Sequence, residues 1–419
     1  MNKKLHIAVA IAAMATSNLS VANTAGRVSG TEFNPAISLI LDGRYTDYDD
    51  VNAEELPGFM IGGEAGLPDR GFSTGHNELT ISSNVDDRFY AKFTAAIVEE
   101  GEGTEVELEE AFLETLGLGN GFTLKGGKFF SALGYLNQQH EHEYDFVDAP
   151  LVYQTILGGA LIDTGVQARW LAPTDFYLEL GAEVTTGSSF PGGENEDGNQ
   201  GNTLFVKTGG DFNESSSWQL GLSHYSTEFD VREGGAHGGE EDGADIELEN
   251  GESDISIVDF VYKWAPNGNP TERNFKFYAE YFQRDEEGEG SITEVDDLGN
   301  EVSATGDYDG EHDGFYVAAV YQFMPKWRVG VRFDQISSDN EITNFAPSGI
   351  NADMFGEETG LGEADHDPES TSIMLDYSYS EFSRFRFQVS DTEFQKGENE
   401  NVYSIQYIMS LGAHGAHRF

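Results

Sequence analysis

"YSIQYIMSLGAHGAHRF", residues 403–419, alternates with period two from its first residue to its last. Tyr403, Ile405, Tyr407, Met409, Leu411 and Ala413 fall on one face, followed by Gly415, His417 and Phe419. The other face holds Ser404, Gln406, Ile408, Ser410, Gly412, His414, Ala416 and Arg418. One apolar face and one largely polar face is the pattern of a β-strand. Chain ends fray unless something ties them down. A strand that keeps its pattern up to a terminal aromatic therefore points to a sheet that needs this strand to close.

The rest of the composition is compatible with that sheet. The chain has 419 residues, 50 Gly, no Cys and a net charge of −52. Such a length fits several soluble domains or one large barrel. Without cysteine there is neither a disulfide framework nor a thiolate metal site. Mean hydropathy is negative, and no run reaches the roughly 18 apolar residues of a membrane helix. Transmembrane strands leave only a weak hydropathy signal. At the N-terminus, Lys3 and Lys4 precede an apolar run from Leu5 to Ala15 and small residues at Ser20 and Ala22. This reads as a cleaved secretory signal over 1–22, leaving a short periplasmic segment at 23–33 and a barrel over 34–419.

About sixteen alternating runs recur along the chain, from "PAISLILDGRY" through "NELTISSN" and "FYAKFTAAI" to the terminal strand. Each is near the 9–11 residues a tilted membrane strand requires. Their connectors alternate in length. Short links such as "VDDR", "GLGNG", "PTD", "PK" and "FSR" exchange with long or acidic ones at 46–75, 134–163, 231–253, 286–312 and 340–370. That spacing predicts an all-β fold: a transmembrane antiparallel β-barrel of about 16 strands, with short periplasmic turns and long acidic extracellular loops.

Cost decides which face is which. Arg384 and Arg386 oppose Phe385, Phe387 and Val389; Arg328 and Arg332 oppose Val329, Val331 and Phe333. A cation at the lipid midplane costs roughly 2–4 kcal/mol, so the arginines should face the lumen. Arg44, Lys92, Lys125, Arg169, Lys207, Lys263 and Lys276 should join them. In "VELEEAFLETL", Glu110 and Glu114 share the phase of Leu108 and Phe112, so a β-bulge is expected there. Trp170, Trp218, Trp264 and Trp327 flank short turns, as an aromatic girdle would.

"EEAFLETLGLGNGFTLKGGKFFSALGYLN", residues 109–137, resembles the strand, turn and strand that precede the pore loop of phosphate-selective-type porins of Gram-negative bacteria. The resemblance puts Gly127, Lys128 and Phe129 on the strand leading into that loop, and makes "LNQQHEHEYDFVDAPLV" the candidate constriction loop. "KWAPNGNP" (263–270), "YQFMPKWRVG" (321–330) and "MSLGAHGAH" (409–417) are similar to proteins described as zinc-regulated, TonB-dependent outer-membrane receptors. Large receptors of that kind carry a plugged 22-stranded barrel, whereas the present count implies a smaller barrel without a plug. The terminal Phe419 resembles the assembly signal that outer-membrane proteins present to the barrel assembly machinery.

Three sets of residues bear on function. Arg328, Arg332, Arg384 and Arg386, on the thirteenth and fifteenth runs, could face Glu141, Glu143, Asp145 and Asp148 of the constriction loop. With Lys125 and Arg169 they form the expected pore-lining and constriction set, because rings of charge at a constriction set selectivity. Their bland reading is salt bridges along the wall. His140, His142, His237, His312 and His366 lie in connectors expected on the outer side, each with carboxylates near by. Imidazole with carboxylate suits zinc, and carboxylates alone suit calcium. The acidic loops, with Glu240, Glu241 and Asp242 in one and Asp285, Glu286, Glu287 and Glu289 in another, form a cation funnel or a solvated face.

The resulting expectation is an outer-membrane porin-like channel for passive diffusion of small hydrophilic solutes or ions. The alternative is a zinc-binding or zinc-uptake barrel, and the third reading is a barrel enzyme. The one Gly-x-Ser-x-Gly string, Gly71–Gly75, is followed by the alternating run "NELTISSN" and not by the helix a nucleophile elbow needs, so no enzyme is expected. No cofactor is required, with Zn²⁺ or Ca²⁺ at the outer loops in the alternative. Expected partners are outer-membrane lipid, lipopolysaccharide, the assembly machinery and further copies in a homotrimer, with no nucleic acid.

Overall fold

The computed structural model describes residues 35–48, 56, 58–59, 70–100, 103–196, 198–234, 245–295, 301–346, 350–362 and 366–412. The signal at 1–22, the segment 23–33, His237, the acidic run 240–242 and Phe419 lie outside them.

Nine strands make the first part of the wall: β1 Ala36–Tyr48, β2 Gly71–Thr74, β3 Asn77–Asn84, β4 Phe89–Glu100, β5 Gly103–Thr115, β6 Phe122–Phe130, β7 Ile162–Leu171, β8 Tyr177–Thr185 and β9 Gly201–Asn213. Five long ones follow: β10 Ser216–Glu233, β11 Asp245–Trp264, β12 Asn274–Val295, β13 Glu301–Met324 and β14 Trp327–Ala346. β15 Glu369–Ser380, β16 Ser383–Gln395 and β17 Glu398–Gly412 complete it. All pair antiparallel in one sheet, and β17 closes on β1 from Gly412 opposite Ser38 to Val402 opposite Tyr48. The alternation that opens the C-terminal segment is thus the closing seam.

β2 and β3 both pair with β1, through Thr74 opposite Gly43 and Glu78 opposite Ile40. They are two halves of one stave, so the wall has sixteen staves, as the alternating runs predict. Between those two pairs β1 advances by three residues while its partner advances by four. The extra residue is a bulge at Gly75–His76. A second bulge lies on β5: Thr94 faces Glu110 while Ala95 faces Leu108, which leaves Glu109 as the extra residue. It falls in the segment whose alternation failed in the sequence.

The faces are sorted as the cost of burying charge requires. Phe385, Phe387 and Val389 on β16, Val329 and Val331 on β14, and Ile373 and Leu375 on β15 are exposed apolar side chains. Arg332 and Arg386 in the opposite phase are buried. Apolar outside and polar inside is the pattern of a barrel in lipid. Trp170, Trp218, Trp264 and Trp327 stand at strand ends beside the short turns.

One expectation is corrected. The strands β10 to β14 run 18 to 24 residues, not 9–11, and most of the connector 286–312 is strand. Lipid needs only about ten residues per strand. Beyond that height the outward face meets water, where acids cost nothing, while Ile292, Ala304 and Tyr308 keep the inward phase apolar and buried. They pack with Ile246, Leu248 and with Phe355 of helix α2, Ala352–Thr359, in an apolar cluster above the main barrel.

Residues 131–161, between β6 and β7, fold into the barrel. Their helix α1, Leu151–Leu157, is apolar apart from Gln154 and Thr155, and Leu151, Val152, Tyr153, Ile156 and Leu157 are all buried. They pack against inward residues of the long strands, including Ile255, Ile257, Phe282, Tyr316 and Ile336. A helix this apolar needs such a surrounding.

Candidate functional site

The loop 131–161 is anchored around the barrel through its own backbone. Ser131 Oγ and Ala132 N donate to Glu183 on β8, at 2.6 and 2.9 Å. Gly134 N donates to Ser223 on β10, and Lys207 Nζ of β9 donates to Gly134 O. Tyr135 N and Leu136 N both donate to Glu280 on β12 at 2.9 Å, and the hydroxyls of Tyr153 and Tyr316 donate to it at 3.0 and 2.6 Å. Gly134 has φ +62°, and a Cβ there would meet a Glu280 oxygen at 2.3 Å, so only glycine fits this approach. Asn137 ties the neck: its amide nitrogen donates to Ser131 O and Leu161 O, and its oxygen accepts from Leu161 N.

On β14 to β16 the loop meets an arginine wall. Arg328 pairs with Asp145 at 2.8 Å and with Asp376. Lys276 of β12 also pairs with Asp145. Arg332 pairs with Asp148 and Asp334, each at 2.8 Å. Arg384 donates to His142 O at 2.9 Å, and Arg386 donates to Tyr144 O, Phe146 O and Asp376. Burial opposes ionisation of Asp145, yet Lys276 and Arg328 hold its carboxyl far below the usual carboxylate range. The wall and the loop are therefore one charge-paired unit.

On β3 to β5 the loop meets an acid–histidine pocket. The bulge at Gly75–His76 switches the phase, so that Phe72 points out while His76 and Glu78 point in, and the bulge on β5 puts the consecutive Glu109 and Glu110 both inside. All four are buried. Bulges commonly re-aim side chains at functional sites. The loop adds Glu141, His140 and His142. His76 Nε2 lies 3.0 Å from Glu109 Oε1 and its Nδ1 3.3 Å from Glu141 Oε2. His140 Nε2 lies 2.8 Å from Glu110 Oε2, which also pairs with Lys92. His142 Nδ1 lies 2.6 Å from Glu78 Oε1. Arg44 joins Glu141 at 2.6 Å and Asp42 at 2.6 Å. Burial disfavours a charged His140, but Glu78 and Glu110 outweigh it and hold its pKa well above the usual imidazole range.

The expected residues divide accordingly. Arg328 and Arg332 pair with Asp145 and Asp148 of the loop, Arg384 and Arg386 take loop carbonyls, and Glu141 turns to Arg44. Arg169 pairs with Glu114 at 2.5 Å, and Lys125 sits over the rings of Phe112 and Phe129. Glu143 belongs to the same short turn as Glu141.

The five histidines do not form one set. His140 and His142 are inside the barrel, not on the outer side, because their connector folds into the lumen. His312 accepts from Arg284 at 3.2 Å and lies among Arg284, Tyr308 and Phe59, surroundings that repel a cation. His366, just ahead of β15, approaches Glu393 on β16 at 3.8 Å. His224, on the outward face, is half-exposed beside Ser256 and Asp254. Sequence reasoning missed His76, Glu78 and Glu109. The broken alternation around Glu110 was the one signal that marked their neighbourhood.

No protein-family model matches the chain. A protein of Aquifex aeolicus (strain VF5), described only as an uncharacterized protein, is 31% identical over 422 residues, covering 92% of this chain and 80% of its own length. Among solved structures, OmpT of Vibrio cholerae, an outer membrane protein in a trimer form, is 12% identical with a TM-score of 0.53. That match covers 90% of this chain and 99% of OmpT. An anion-selective porin from Comamonas acidovorans is 11% identical with a TM-score of 0.50, over 90% of this chain and 99% of the porin. Likeness at this identity establishes the barrel fold alone.

Proposed function

We propose that this chain, which belongs to one family with the Aquifex aeolicus protein, is an outer-membrane channel of the porin type with a narrow, loop-filled lumen. The observation that carries this reading is the loop 131–161, held across the lumen of a closed barrel by Glu183, Ser223, Glu280, Asp334 and the arginine wall. A loop so anchored restricts passage to small ions and water rather than to general solutes. The closed outer wall, apolar where it meets lipid, supports residence in the outer membrane. The likeness to a trimeric barrel supports assembly in threes, and Phe419 remains the proposed assembly signal. This reading contains no catalytic step.

The test is planar-bilayer recording of the refolded full chain beside a variant in which residues 133–159 are replaced by a short Gly–Ser turn. β6 and β7 stay paired next to the cut, through Phe130 opposite Ile162. The expected result is small, discrete conductance steps for the full chain and several-fold larger steps for the variant. Absence of discrete steps from both proteins would overturn the channel reading.

A further inference from the structure

Glu78 Oε2, Glu109 Oε2 and His140 Nδ1 in the acid–histidine pocket have no polar partner beyond one another. Their side chains are 1%, 6% and 8% exposed, so water does not satisfy them freely. They also converge. His140 Nδ1 lies 3.1 Å from Glu78 Oε2 and 3.4 Å from Glu109 Oε2. A buried polar atom without a partner costs about 1–3 kcal/mol, and more when charged. Asp145 Oδ2 on the loop also makes no hydrogen bond but is ion-paired with the fixed cation Lys276, whereas the three pocket atoms have only one another, and so can take an occupant.

Their spacing fits a metal ion. Nitrogen and oxygen ligands at about 2.0–2.2 Å from zinc, at tetrahedral corners, lie about 3.3–3.6 Å apart. We propose that Glu78, Glu109 and His140 bind a divalent first-row transition-metal ion inside the barrel. His76 is near enough to complete the shell, since ligand atoms of His76, Glu78 and Glu109 all lie within 4.8 Å of one another.

The second atom of each ligand is already held. His142 Nδ1 meets Glu78 Oε1, His76 Nε2 meets Glu109 Oε1, and Glu110 accepts from His140 Nε2 while Lys92 steadies Glu110. Partners of this kind fix the orientation and tautomer of metal ligands. With Nε2 donating to Glu110, an incoming ion that displaces the Nδ1 proton would meet the Nδ1 lone pair beside the two carboxylates.

The donor set selects among cations. Calcium takes 6–8 oxygens at about 2.3–2.6 Å, whereas this pocket offers imidazole and two carboxylates at closer spacing. Without sulfur, soft-metal sites are excluded, and zinc suits the mixture. Charge points the same way. Asp42, Glu78, Glu109, Glu110 and Glu141 are five carboxylates, against Lys92 and Arg44 as two fixed cations. The surplus of three negative charges is met by a divalent ion with one imidazolium, or by three imidazoliums and no metal.

Those two solutions are told apart by titration. The full-length barrel, refolded in detergent and stripped with chelator, is titrated with zinc chloride in excess magnesium, which masks the surface acids. Heat-modifiable migration checks that each variant is folded. The expected result is one saturable zinc site per chain, weakened at least 100-fold in Glu109→Gln and in His140→Ala and unchanged in His366→Ala. Cobalt(II) should give visible absorption bands of a nitrogen–oxygen site that vanish in the same two variants. If His140→Ala does not fold, the nearly isosteric Glu78→Gln takes its place. No saturable zinc binding by wild type would mean that protons alone balance the pocket, and the proposal falls. Wild-type zinc binding in the folded variants would overturn it equally.

Discussion

The arginine wall of β14–β16 and the acid–histidine pocket of β3–β5 sit either side of β17 and β1, and they hold the same loop in opposite ways. On the wall, each arginine meets a carboxylate or a backbone carbonyl of the loop, and Asp376 and Asp334 fill in behind. In the pocket, carboxylates and imidazoles crowd together, and Glu78 Oε2, Glu109 Oε2 and His140 Nδ1 meet only one another. Carboxylates met by arginine and lysine make the first region a fixture. Carboxylates met by imidazole make the second receptive. Charge content alone does not separate a structural sector from a ligand site; the kind of partner each carboxylate has does.

The largest effect should come from breaking the wall. Asp145→Asn removes the carboxylate shared by Lys276 and Arg328; Arg328 keeps Asp376, but Lys276 loses its ion-pair partner. Removing one partner of a buried pair costs about 3–5 kcal/mol. Urea unfolding of the detergent-refolded barrel should move to lower denaturant by that amount; an unchanged midpoint would show that the wall does not hold the loop.

A smaller and different effect should follow in the pocket. His142→Ala removes the group that orients Glu78 without removing a proposed ligand. Loss of such a partner lowers metal affinity about 10–100-fold, so zinc titration should weaken by that factor while the urea midpoint stays near wild type. A large loss of stability with no change in zinc affinity would reduce the pocket to a second wall.

The smallest effect concerns pH. Asp145 has its pKa depressed in the folded protein, so its contribution is present above the ordinary Asp value of about 3.9 and is lost only as pH falls through the lower folded value. Acidification from pH 7 to about pH 4 should therefore leave the loop's protection from protease unchanged at the wall. Release of the loop within that range would show that the Asp145 pairing is not its anchor.

Much of this was legible in the sequence. Period-two alternation and the unequal connectors give the sixteen staves, because a barrel in lipid must sort every strand into two faces. The phase of Arg328, Arg332, Arg384 and Arg386 places them inside, since lipid would not tolerate them. The pocket was not legible, because it depends on two one-residue insertions. Near His76 nothing in "STGHNELT" betrays a bulge, and strict alternation from the exposed Phe72 would put His76 and Glu78 on the outer face. Around Glu109 the insertion did show, as a failed phase, but not which carboxylates it would bring together. The tall strands β10–β14 were misjudged because acids at 285–289 read as loop, although above the membrane a strand's outer face is free to carry them.

Asn137 has one more consequence. By joining Ser131 to Leu161 it brings the two ends of a long excursion to adjacent positions, where Ser131 N also donates to Leu161 O at 3.0 Å. To the wall, the whole excursion then looks like a hairpin turn between two neighbouring strands. Its contents can be lengthened, shortened or exchanged without altering strand count or register. The barrel is in that sense a fixed chassis, and residues 132–160 are a cassette through which related chains could change what passes while keeping the same container.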